Sequence, residues 1–212
     1  MTRGQFIAFE GGEGSGKSTQ ARMLADALDA HGVPVELTRE PGGTPGAEAI
    51  RQLLLDPPGE GWGPRAEALL FAAARSDHVE RLIRPALNAG RWVVCDRYLD
   101  SSRAYQGGAG GIGDEAVRAL HAIGSEGLRP DLVILVDVDP REVSRRLAAR
   151  DAGASDAIGG RGEAYHAAVR DTFARLAAED TAGFRVIDGN GDADTVHVRV
   201  MQAIASLPDA PA

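Results

Sequence analysis

The chain has 212 residues, 43% of them hydrophobic, and carries 23 Lys+Arg against 31 Asp+Glu for a net charge of −8. That leaves room for a sizeable buried core, while the acidic balance argues against a face built for duplex nucleic acid. One cysteine excludes an intramolecular disulfide, no apolar run reaches the roughly 18 residues of a membrane span, and no signal-peptide pattern opens the chain, so a soluble cytoplasmic protein with neither membrane nor nucleic-acid partner is expected.

Short apolar runs alternate with longer amphipathic ones. Gln5–Glu10 (QFIAFE) reads as a buried strand, Lys17–His31 as a helix stopped by Gly32, and Val33–Thr38 as a second strand. Thr44 followed by Pro45 is an N-cap with proline at the first helical position, opening a helix through Leu55. After a Pro/Gly loop, Pro64–Ala89 is mostly helical, with a break expected near Ser76 and an end at Gly90. Arg91–Cys95 is a third strand, Ser101–Gln106 a short helix running into GGAGGIG, and Asp114–Ser125 a further helix. Leu132–Val136 (LVILV) is purely apolar, hence a central strand, and Pro140–Arg150 is a helix with Asp137 as its expected cap. Positions 151–162 are small, polar and glycine-rich, a mobile stretch, before a helix over Glu163–Glu179, a strand over Phe184–Ile187 and a last helix over Ala193–Ser206. This order predicts a single α/β domain over residues 1–212, with a five-stranded parallel sheet flanked by helices on both faces. Ligands of such sheets bind beyond the carboxyl ends of the strands. The chemically loaded segments all follow strands: the loop from Gly11, the stretch Arg39-Glu40-Pro41-Gly42-Gly43, and Asp96-Arg97-Tyr98.

Gly11 to Ser18 match G-x-x-x-x-G-K-[ST] between a strand and a helix. Glycines let consecutive N–H groups turn inward as an anion nest, and the helix N-terminus adds its positive dipole end. The expected triphosphate-binding set is Gly11, Gly12, Glu13, Gly14, Ser15, Gly16, Lys17, Ser18 and Thr19. Lys17, the only lysine in the chain, can reach the β- and γ-phosphates, and the Ser18 hydroxyl can ligate Mg²⁺. Asp96, just after an apolar strand, is the expected second metal residue, with Asp137 as its rival. Phe71 and Arg75 share one helix face; Ser102, Tyr105 and Gln106 share another. A ring, a guanidinium, a hydroxyl and an amide make a plausible base-reading set. The five histidines show no zinc-ligand spacing, so no structural zinc is expected. Cys95, Trp62 and Trp92 read as packing residues.

FEGGEGSGKSTQ, TREPGGTPGAEAIRQLLL, ALLFAAAR, VVCDRYLDSSRAYQG and RPDLVILVDV follow one another in the order and spacing of the bacterial thymidylate kinases, over about residues 5 to 180. The resemblance implies the P-loop NTPase three-layer fold with a mobile lid (about 150–162), transfer of the γ-phosphate of ATP to dTMP with Mg²⁺, and a homodimer. It also implies roles. Glu13 stands where the family has an acidic loop residue near the acceptor sugar and phosphate. Arg39 resembles the arginine that grips the acceptor phosphate, and Arg97 the one that bridges acceptor and donor. Phe71 matches the ring that stacks on thymine, Arg75 the arginine at its carbonyl edge and Ser102 a polar residue facing N3. Tyr105, with Gln106 beside it, matches the tyrosine that crowds the sugar 2′ position. One departure stands out: relatives whose P-loop lacks arginine carry a lid arginine in D-R-[IFY]-E, and here the nearest match, D-A-I-G, has Ala157. Arg150 and Arg161 bracket the lid and are the catalytic candidates, with Arg146 and Arg170 behind them. The rival readings are a kinase for another nucleoside or nucleoside monophosphate and, from a different class, a P-loop nucleotide switch.

Overall fold

The structure, a computed structural model, describes residues 3–150 and 160–211, excluding the side chains of 149 and 150. Five strands, β1 (Phe6–Glu10), β2 (Val35–Arg39), β3 (Trp92–Asp96), β4 (Leu132–Asp137) and β5 (Phe184–Asp188), form one sheet in the order β2-β3-β1-β4-β5. Every neighbouring pair is parallel. Successive side chains of a strand point to opposite faces, and both faces here are covered. On one face Ile7, Phe9, Val94 and Ile134 pack with Leu24 and Leu28 of α1 (Lys17–Ala30) and with Val196, Val200 and Ile204 of α9 (Ala193–Ile204). On the other, Phe6, Ala8, Val93 and Cys95 meet Val79, Ile83 and Val117, while Val133 and Leu135 meet Phe173 and Leu176 of α8 (Glu163–Glu179). Double burial is why β1 and β4 read as unbroken apolar runs rather than alternating ones.

The remaining helices are α2 (Pro45–Leu55), α3 (Pro64–His78), α4 (Arg84–Asn88), α5 (Leu99–Ser102), α6 (Asp114–Ser125) and α7 (Pro140–Arg150). Thr44 caps α2 as its sequence predicts, its hydroxyl accepting from the Ala47 N–H at 3.2 Å. The break expected near Ser76 falls later. The α-helix continues to His78, then opens into a π-helical turn over Val79–Ile83, where the Arg84 N–H reaches the Val79 carbonyl. Pro85 explains the shift: its ring has no N–H and crowds the preceding turn, and a wider turn relieves that conflict. The short helix expected over 101–106 instead starts at Leu99 and becomes a second π turn, Arg103–Ala109. Asp137 does not cap α7. It ends β4 with an exposed side chain, and Asp139 does the capping, its carboxylate accepting from the Arg141 N–H at 2.8 Å. The local reason is distance along the chain: Asp139 directly precedes Pro140, where an N-cap must stand.

Ile134 sits fully buried at the centre of the sheet. Ile134→Ala should lower unfolding stability by about 2–5 kcal/mol. Val198→Ala on exposed α9 surface should change it by less than about 0.5 kcal/mol. Urea unfolding of the two variants checks the contrast.

Candidate functional site

Because β1 and β3 are adjacent and parallel, the loops that leave their carboxyl ends lie side by side. After β1, the backbone of 11–16 curls back, with positive φ at Gly11, Gly14 and Gly16. Gly11 has a second reason to be glycine: a Cβ there would lie 2.7 Å from the Val136 carbonyl oxygen. The turn delivers Lys17 at the head of α1, where its Nζ donates to the Gly12 carbonyl at 2.8 Å. Burial, with help from the neighbouring Arg97 cation, pushes the Lys17 pKa down to about 8. An anion bound beside the ammonium would favour its charged form.

After β3, Arg97 adopts φ +70°, unusual for a residue with a side chain. That conformation sends its guanidinium back across the sheet edge to the β1 loop. It donates to the Gly11 carbonyl at 3.2 Å, to Ser101 Oγ at 3.0 Å, to Glu13 Oε1 at 2.5 Å and to the Tyr105 hydroxyl at 3.3 Å, and it lies 5.0 Å from the Tyr105 ring centre. Beneath it, Glu10 is fully buried and accepts from the Tyr98 and Ser101 N–H groups at 2.9 and 3.0 Å and from Ser101 Oγ at 2.5 Å. Burial and the nearby Asp100 raise the Glu10 pKa to about 7. Ser101 thus links Glu10 to Arg97. Asp96 keeps one buried carboxylate oxygen without a partner, in the same cleft as Lys17 and Ser18. An orphaned carboxylate oxygen and an exposed hydroxyl beside a phosphate nest suit Mg²⁺, which binds through one or two protein oxygens, phosphate oxygens and water.

The cleft, about 500 Å³, runs from the Gly11–Ser18 loop to Phe71 and Gln106, a size suited to a small ligand. Arg39, Phe71, Arg75, Arg97, Ser102, Tyr105 and Gln106 all line it together with Glu13, Gly14, Gly16, Lys17, Ser18 and Thr19, whereas Gly11, Gly12 and Ser15 of the expected phosphate set do not. Arg39 is half exposed and pairs with Glu48 at 2.9 Å. Arg75 is buried; its Nε donates to Glu40 at 2.7 Å and its NH2 to Ser102 Oγ at 2.8 Å. The Gln106 amide donates to Glu67 at 2.9 Å. A neighbouring cleft, about 720 Å³, begins on the other side of the same loop, at Gly11, Gly12, Glu13 and Ser15, and continues along mainly apolar side chains such as Val136, Val143 and Phe173; its one arginine among the described residues is Arg170.

Of the lid candidates, Arg161 faces the acceptor end: it pairs with Glu67, donates to the Tyr165 hydroxyl at 2.5 Å and stacks 4.7 Å from that ring. The side chain of Arg150 lies outside the described residues, as does Ala157. Arg146 of α7 is the lid candidate that touches the phosphate loop. It donates to the Ser15 carbonyl at 3.3 Å and to the Gly189 carbonyl, after β5, at 2.9 Å, while Glu142 accepts from its Nε at 2.8 Å. Sequence spacing does not single out Glu10, Glu40 or Glu67, because each holds a partner distant in the chain: Tyr98, Arg75 and Gln106.

A family model described as thymidylate kinase matches residues 9–200. The chain is 56% identical over 204 residues to a thymidylate kinase of Rhizorhabdus wittichii, spanning 96% of this chain and 98% of that one. It is 47% identical over 204 residues to a thymidylate kinase of Bradyrhizobium diazoefficiens, spanning 95% and 89%. The crystal structure of thymidylate kinase from Ehrlichia chaffeensis superposes with a TM-score of 0.76 at 32% identity, covering 95% of this chain and 99% of that one.

A triphosphate beside Lys17 would raise its pKa from about 8 toward its ordinary value. The bound state then holds more protons than the free state around pH 8–9, so binding takes up a proton and weakens as pH rises through that window. Calorimetric titration with ATP at pH 8.5 in buffers of different ionisation enthalpy should show uptake of most of one proton. Buffer-independent heats would contradict the buried-ammonium account.

Proposed function

The chain belongs to the thymidylate kinase family and phosphorylates dTMP to dTDP at the expense of ATP, and from that premise we propose how its residues divide the reaction. The observation that carries the assignment is the position of Arg97, which touches both the phosphate loop and the Tyr105 side of the cleft. A cation there lies between two anions that must approach each other.

Residues 11–19 cradle the ATP phosphates, with backbone N–H groups and Lys17 on the transferred end. The dTMP ring lies against Phe71, with Arg75, Ser102 and Gln106 at its polar edge and Tyr105 beside the sugar. Arg39 and Arg97 hold its phosphate, and Glu13 keeps Arg97 aimed. An oxygen of that phosphate attacks the γ-phosphorus in line, and the bond from the γ-phosphorus to its bridging oxygen breaks, leaving ADP. The acceptor phosphate is already ionised near neutral pH, so no strong general base is required. Lys17, Arg97 and Arg146 spread the charge of the moving group, which is where positioning and electrostatics do most of the catalysis. Ser18 and Asp96 would hold Mg²⁺, which supplies charge neutralisation on the phosphate oxygens. Arg146 supplies the arginine that the family pattern would put in the lid, and its support is the contact with the Ser15 carbonyl.

The protein works as one domain in the cytoplasm and as a homodimer. Support for the dimer is an apolar surface shared by packed neighbours: Leu53 on α2, Leu69 on α3 and Ile123 on α6 are 44%, 56% and 83% exposed. Nothing polar on those side chains offsets their contact with water.

Arg97→Ala should reduce kcat by about 10³-fold or more while leaving the far-ultraviolet circular dichroism unchanged. A kcat within tenfold of the parent would remove Arg97 from the transfer step. Sedimentation should find the parent dimeric and Ile123→Arg monomeric; a parent that sediments as a monomer ends the dimer proposal.

A further inference from the structure

A buried chain of polar side chains runs beneath the acceptor end of the cleft, and part of it has no place in the chemistry above. Thr38 Oγ1 lies 2.7 Å from His78 Nε2, His78 Nδ1 lies 3.1 Å from Glu40 Oε1, Glu40 Oε2 accepts from Arg75 Nε at 2.7 Å, and Arg75 NH2 donates to Ser102 Oγ at 2.8 Å. Arg75 also donates to the Tyr98 carbonyl and lies 5.4 Å from the Tyr98 ring centre. Thr38 is the buried residue near the end of β2, Glu40 follows that strand, Arg75 and His78 share one face of α3, and Ser102 ends α5. Three separate elements therefore meet through five side chains.

We propose that His78 is a positioning residue for acceptor recognition: it fixes the Glu40 carboxylate, and Glu40 fixes the orientation in which Arg75 faces the cleft. A carboxylate only accepts, so His78 Nδ1 donates to Glu40, and in the neutral ring Nε2 accepts the Thr38 hydroxyl proton. Both Glu40 oxygens are then used, one on His78 and one on Arg75. His78 is 0% exposed, so it acts on the cleft through its partners, of which Glu40 is the one that touches Arg75. Burial opposes a charge on Glu40, yet Arg75 and His78 together hold its pKa below the ordinary carboxylate value.

The backbone is shaped around this relay. Gly43 has φ +90°, and a Cβ there would stand 2.5 Å from Thr38 Oγ1 and 2.6 Å from His78 Nε2. The second glycine of TREPGGT is thus required by the His78–Thr38 contact as well as by its own conformation.

The inference rests on the reading of Arg75 as a partner of the acceptor base, and kinetics on four purified variants separates the two. Arg75→Lys tests the parent reading. His78→Leu keeps bulk but removes both ring nitrogens. His78→Asn keeps a donor near the Nδ1 position, and Thr38→Val removes the far end of the relay. The expected result for His78→Leu is a rise of about tenfold in the KM for dTMP, with the KM for ATP and the kcat within twofold, and recovery of most of that loss by His78→Asn. Thr38→Val should raise the dTMP KM by about threefold, and it carries the comparison if His78→Leu does not fold. An unchanged dTMP KM in Arg75→Lys would overturn the reading of Arg75, and the relay with it. A raised KM in Arg75→Lys beside unchanged values in His78→Leu, or in Thr38→Val if that variant stands alone, overturns the relay and spares the reading. Equal losses in both KM values and in kcat, not recovered by His78→Asn, make His78 a fold residue and also overturn the relay.

Discussion

Arg97 reaching from the end of β3 to the loop after β1 is the contact on which the rest of the site depends. It exists because the sheet is parallel at its centre and both strands end at the same edge. It is held by an unusual backbone conformation, φ +70°, and by Glu13 at 2.5 Å. The cost is electrostatic. A guanidinium and the Lys17 ammonium are buried in one pocket, and burial first, then the neighbouring Arg97 charge, depress the Lys17 pKa. Glu13, Asp96 and Glu10 offset it only in part. A phosphate group between Lys17 and Arg97 would attract both cations and favour their charged forms.

Support for these charges comes from beneath. Glu10 accepts three hydrogen bonds and passes its constraint to Arg97 through Ser101. Glu40 does the same for Arg75, and Glu67 holds Gln106 on one side and Arg161 on the other. Each of these three acids is buried and each accepts hydrogen bonds, which offsets the cost of burying a carboxylate. The pattern is one of polar side chains in the cleft, each held by a carboxylate behind it.

Much of this was readable in the chain. The apolar runs of β1 and β4, the Thr44-Pro45 start of α2 and the spacing of Gly11 to Ser18 all rest on local rules, and local rules survive in the fold. Phe71, Arg75, Ser102 and Tyr105 could be proposed as one set because helical spacing places them on two shared faces. What stayed hidden depends on contacts between distant segments. Glu40 and His78 are brought together only when α3 packs under the end of β2. Arg146 reaches Ser15 only because α7 lies over the phosphate loop. The π turns at Val79–Ile83 and Arg103–Ala109 answer to packing and to Pro85 rather than to periodicity, and Asp137 looked like a cap until the strand proved to run one residue further.

The central claim is that one cleft seats two nucleotides with Arg97 between their phosphates. A crystal structure with dTMP and a non-hydrolysable ATP analogue tests it most directly. The account predicts thymine between Phe71 and Tyr105, the triphosphate within the Gly11–Ser18 loop, and the Arg97 guanidinium in contact with the dTMP phosphate. Thymine seated elsewhere, or an Arg97 that touches neither phosphate, would contradict it.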